Sequence, residues 1–71
     1  MIWFFERGQQ RMLCEIRSAQ EGGWFELHWQ MPGGETHIER SEDPSVLDLR
    51  RKELEEQLER DGWTRVDRRF L

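Results

Sequence analysis

Pro44-Ser45-Val46-Leu47-Asp48-Leu49-Arg50-Arg51-Lys52-Glu53-Leu54-Glu55-Glu56-Gln57-Leu58-Glu59-Arg60-Asp61-Gly62-Trp63 is the stretch whose reading decides the fold. At 100° per residue Leu47, Leu54 and Leu58 fall in one narrow stripe, which predicts a one-sided helix. Asp43 before Pro44 marks its start. The residue before proline is pushed to the extended geometry an N-cap needs, and proline suits the first helical position. Ser45 with Asp48 forms a competing capping box two residues later. Gly62 suits the left-handed position after the last turn. Trp63 and Leu58 are then the pair that touch in a Schellman motif. Asp48–Lys52 and Glu56–Arg60 put opposite charges four apart on the outer side, each contributing roughly 0.2–0.5 kcal/mol. A helix with three leucines inward and charge outward must lie on something apolar.

That something precedes it. Residues 1–40 alternate with period two in four runs: Ile2–Glu6, Gln10–Arg17, Trp24–Met31 and Glu35–Arg40. Such runs, bounded by turn residues, read as strands. Gly8-Gln9 fits a two-residue type II′ turn, which takes glycine first. Ser18–Gly23 is a longer loop, and Pro32-Gly33-Gly34 the third turn. The expected class is therefore α+β: a four-stranded antiparallel meander followed by one helix on one face, within a single domain spanning 1–71. Residues 64–71 are expected to be an extended or frayed basic tail, with 63–67 either adding an extended segment at a sheet edge or fraying.

The pattern also sets a register. A Gly8-Gln9 loop pairs Phe5 with Met12 and Trp3 with Cys14. Pairing Arg17 with Trp24 sets Ile16 opposite Phe25 and Cys14 opposite Leu27. One face then collects Trp3, Phe5, Met12, Cys14, Ile16, Phe25, Leu27, Trp29 and Met31, with Thr36 and Ile38 from the fourth strand. A slip by one residue would expose this set. At the third hairpin, a two- or a four-residue loop keeps Ile38 on the covered face. A three-residue loop turns it outward, and the apolar pattern excludes that.

Composition narrows the function. In 71 residues there are 11 basic and 15 acidic side chains and a net charge of −4, which argues against a nucleic-acid module. Cys14 is the only cysteine, so no disulfide forms within the chain and a reducing cytoplasm is expected. Met1–Phe5 is apolar but too short for a membrane span or a signal peptide. No cofactor fingerprint, phosphate-binding glycine loop or nucleophile–base set is present, and no enzyme is expected. His28, His37, Glu15, Glu26 and Glu39 would share the outer sheet face and could ligate a divalent metal, but a flat sheet face with no ligand spacing reads as solvated. Cys14 falls on the covered face, away from both histidines, as a buried inert thiol.

Ile2, Phe4, Leu13 and Trp24 lie on the outer face near the first two strands. An apolar cluster there, on a chain small enough to gain from added burial, points to contact with a second copy or another protein. The alternative is single-stranded nucleic acid, stacked on the outer aromatics and held by Arg11, Arg17, Arg65, Arg68 and Arg69. Four strands followed by a helix is also the element order of a class of dimeric single-strand binders, a likeness of fold alone. Glu15, Glu26 and Glu39 on the same face oppose it.

The stripe makes a direct test. Leu54→Ala leaves a cavity and should cost about 2–5 kcal/mol. Leu49→Ala, off the stripe, should cost within about 0.5 kcal/mol. Urea denaturation of the two variants reads the difference.

Overall fold

The computed structural model describes residues 1–19 and 21–66. Elements follow in the order β1 (Ile2–Arg7), β2 (Gln10–Ser18), β3 (Phe25–Gln30), β4 (Thr36–Ser41), α1 (Pro44–Arg60) and β5 (Thr64–Val66). The strands form one antiparallel five-stranded sheet, β4-β3-β2-β1-β5. The helix packs on one face, as the α+β reading expects. β5 adds an edge strand from what reads as tail, pairing Phe4 with Val66 and Glu6 with Thr64. Residues 67–71, which include Arg68, Arg69, Phe70 and Leu71, lie outside the described residues.

The helix ends follow from local chemistry. Asp43 is extended at φ −109°, and its Oδ1 accepts from the Ser45 amide at 2.9 Å, so Asp43 and not Ser45 is the N-cap. At the other end Gly62 takes φ +91°. Its amide donates to Glu59 at 3.1 Å and that of Trp63 to Leu58 at 2.9 Å, the two bonds of a Schellman turn. The turn reverses the chain, sinks Trp63 into the core and launches β5 beside β1.

The core holds Phe5, Met12, Cys14, Ile16, Leu27, Leu47 and Trp63, with Trp3, Phe25, Trp29, Met31, Leu54 and Leu58 packed around it. The β1–β2 register is the expected one. The β2–β3 register differs by two residues: Ile16 faces Leu27 and Cys14 faces Trp29. A shift of two keeps every side chain on its face, so alternation alone does not distinguish the two registers.

The third hairpin corrects the sequence reading. Trp29 pairs with His37, His28 with Ile38 and Leu27 with Glu39. The Met31 amide donates to Glu35 at 2.7 Å and the Gly34 amide to Met31 at 2.9 Å, enclosing the three-residue loop Pro32-Gly33-Gly34. Proline is at home at the first position of a type I turn, and Gly34 at φ +90° supplies the left-handed residue that closes it. Turn geometry therefore outweighs one isoleucine. Thr36 and Ile38 leave the covered face, and Ile38 is 50% exposed. His37 and Glu39 take their place on the helix side of the sheet, His37 still exposed at its margin. His37 stacks on Trp29 at 5.5 Å, and Glu39 pairs with Arg50 at 3.0 Å.

Arg51 is the second departure. It sits on the leucine stripe and is 7% exposed. Its guanidinium lies 4.3 Å from the Trp3 ring, and it pairs with Asp48 at 3.1 Å and Glu55 at 2.6 Å. Glu55 also reaches Arg65 of β5 at 3.3 Å, which ties the new edge strand to the helix. Arg51→Ala uncovers Trp3 and removes one partner of a largely buried pair. It should cost about 3–5 kcal/mol, and Arg51→Met, which keeps an apolar cover on Trp3, distinctly less. Thermal unfolding of both variants checks this.

Candidate functional site

The outer sheet face is where apolar and titratable side chains meet on the side away from α1. Cross-strand pairing arranges it in rows: Val66, Phe4, Leu13, Gln30 and Thr36; then Ile2, Glu15, His28 and Ile38; then Arg17, Glu26 and Arg40. Glu6 and Arg11 face each other beyond the first row. Ile2, Phe4, Leu13 and Val66 are half-buried and contiguous across β5, β1 and β2. Val66 was not singled out from sequence, because nothing local announces that Thr64–Val66 returns to pair with β1.

Trp24 is not part of this band. The two-residue shift of β3 leaves it in the loop before Phe25, where it is 41% exposed. It lines an open cleft with Arg17, Glu21, Gly22, Glu26 and Arg40. Arg17 on the cleft wall is two residues beyond Glu15, which faces Ile2, so the cleft begins ~7 Å along the strand from the near end of the band and ~13 Å from Leu13. Of the interface residues read from sequence, the fold brings Ile2, Phe4 and Leu13 together and sets Trp24 apart.

Charge on this face is paired. Glu6 meets Arg11 at 3.4 Å, Glu15 meets Arg17 at 3.5 Å and Glu26 meets Arg40 at 2.8 Å. Glu26 also faces His28 Nε2 at 3.0 Å, while Arg17 Nη2 lies 3.2 Å from Nδ1 and Arg17 Nε 3.1 Å from Nε2. Protonated on Nε2, the ring donates to Glu26 and accepts from Arg17 Nη2 at Nδ1; protonated on Nδ1, it accepts from Arg17 Nε at Nε2 instead. The bond from His28, then that from Arg40, holds the Glu26 carboxyl below its ordinary pKa. Arg65 points to the helix side with Glu55, so it does not share this face with Arg11 and Arg17.

The metal reading loses its geometry. His37 and Glu39 lie on the helix side and only His28, Glu15 and Glu26 remain outside. Among the described residues no group of three or more His, Cys, Asp or Glu side chains could hold a metal ion. Cys14 is buried beneath the helix. Burial pushes its thiol up to about 11, against the opposing effect of nearby Arg51, so at neutral pH it is a protonated core residue. No helix of the described residues is long and apolar enough to cross a membrane. No protein-family model, curated protein or solved structure matches this chain.

Acid titration tests the Glu26 network. A carboxyl whose folded pKa is depressed contributes stability that is fully present above its ordinary value of 4.5 and is lost as pH falls through the folded value. Glu26→Gln should therefore flatten the fall of melting temperature below about pH 4.5 and leave its shape above pH 6 unchanged, as read by circular dichroism.

Proposed function

We propose that this chain is a protein–protein interaction or homodimerisation module that makes contact through its outer sheet face. The observation that carries the reading is the apolar band of Ile2, Phe4, Leu13 and Val66 on the face opposite α1. Its surround is charged but balanced: Glu6, Glu15 and Glu26 against Arg11, Arg17 and Arg40. A small apolar centre with a rim of both signs suits a protein surface, where complementary pairs set the orientation. Burying such side chains contributes roughly 1.5–3 kcal/mol each, offset by the entropy of association.

Single-stranded nucleic acid fits less well. That reading needs an electropositive track beside the aromatics. Arg11, Arg17 and Arg65 each face a carboxylate instead, at 3.4, 3.5 and 3.3 Å. Trp24 stands apart from Phe4.

Leu13→Glu with Val66→Glu tests the reading. Sedimentation equilibrium should show weakened association of the double variant, with an unchanged far-ultraviolet spectrum. A parent that neither self-associates nor binds a protein through this face defeats the proposal. Salt-sensitive binding of single-stranded oligonucleotides would favour the alternative.

A further inference from the structure

We propose that two copies of this chain join edge to edge through β4, in antiparallel register about a two-fold axis at Ile38, to make one continuous sheet. This goes beyond the outer-face contact and uses different atoms.

The backbone defines the open groups. Residues exchanging hydrogen bonds alternate along an antiparallel pair. The bond from the Met31 amide to Glu35 makes that pair a hydrogen-bonded one. His37 and Glu39 therefore bond inward to β3, and Thr36, Ile38 and Arg40 turn their amides and carbonyls to the free edge. The bond from Ala19 to Trp24 at the other end of β3 gives the same alternation. Among the described residues nothing covers this edge. Exposed edges are ordinarily blunted by proline, a bulge or a charge standing free in the strand. β4 has no proline, and its pairing with β3 runs unbroken from Thr36 to Ser41. Its charges are drawn back into their own chain, Glu39 to Arg50 at 3.0 Å and Arg40 to Glu26 at 2.8 Å.

Charge then selects the occupant and the register. With Ile38 opposite its own copy, Thr36 meets Arg40, His37 meets Glu39 and Glu35 meets Ser41, so no like charges oppose. Sliding one step of two toward the hairpin sets Glu35 against Glu39. Sliding one step the other way sets Glu39 against Glu39. Like charges directly opposite are destabilising, so the strand is complementary to itself in one of these alignments. In that alignment the free groups of Thr36, Ile38 and Arg40 are all satisfied by the second copy.

Apolar surface flanks the seam on both faces. Ile38 is 50% exposed on the outer face. On the helix face Arg50 reaches β4 through Glu39, and Val46, one turn earlier on that flank, is 53% exposed. An isologous joint would bring each beside its own counterpart. The outer faces would then run on as one surface, with the apolar band of each copy outside the seam.

Backbone chemistry tests the joint. Ile38→Pro removes an outward amide that β3 does not use, a position where an edge strand tolerates proline. A synthetic chain N-methylated at Ile38 does the same with the side chain kept. His37→Glu places a carboxylate opposite Glu39 of the second copy. Sedimentation equilibrium of the parent should show a dimer. The first two changes should leave only monomer up to about 1 mM, and His37→Glu should weaken association. Amide exchange at Thr36, Ile38 and Arg40 should slow with parent concentration. A parent monomeric at about 1 mM, or one whose association survives N-methylation, overturns the joint. Association lost in Leu13→Glu with Val66→Glu but kept in both Ile38 variants also overturns it, while leaving the outer-face reading in place. The converse result supports the joint alone.

Discussion

Burial of Phe5 and Leu27 between the sheet and α1 is the contact on which the rest depends. Both side chains are essentially excluded from solvent. They sit on adjacent parts of one pleated face, and only a helix with an apolar stripe can close over them. A chain of 71 residues without a disulfide has little else to hold it. The Schellman turn at Gly62 contributes to the same contact, because it folds Trp63 under the helix end. It also sets β5 against β1. A feature of local backbone conformation thereby adds both a core residue and a strand.

The stripe is not purely apolar, and that shapes the molecule. Arg51 occupies a position four residues after Leu47 and three before Leu54. It spreads over Trp3 while Asp48 and Glu55 neutralise it. Glu55 continues to Arg65, so the polar seam joins β1, α1 and β5. The spacing alone could have placed Arg51 inward. Its charge hid it, since a lone arginine on a stripe normally belongs at the boundary with water.

The two faces of the sheet divide the labour. One is spent on the core. The other carries the apolar band and three pairs of opposite charges, and β4 borders both. Ile38 shows how these are linked. The loop that turns it outward also turns His37 and Glu39 inward, anchors the strand to the helix through Arg50, and leaves alternate backbone groups of β4 facing outward. The outward side chain of Ile38 and the outward backbone groups of β4 thus trace to one turn, Pro32-Gly33-Gly34.

The order of elements from β1 to α1, the helix limits and the identity of the covered face of β1, β2 and β3 were determined by the sequence itself, because they rest on local signals. Period-two alternation, the Asp43-Pro44 start, Gly62 and the leucine spacing each act within a few residues. Ile2, Phe4 and Leu13 were legible as outward for the same reason. Tertiary structure alone decided the two-residue offset of β3, which alternation cannot sense, and with it the separation of Trp24 from Phe4. It also decided the flip of Ile38, where turn stereochemistry competed with one apolar side chain and won, with Trp29 and Arg50 giving His37 and Glu39 partners on the helix side. Thr64–Val66 became a strand only because the chain reverses at Gly62 next to β1, whose outer edge was open. Pairing partners far apart in sequence leave no mark in the residues themselves, and each of these outcomes is a pairing.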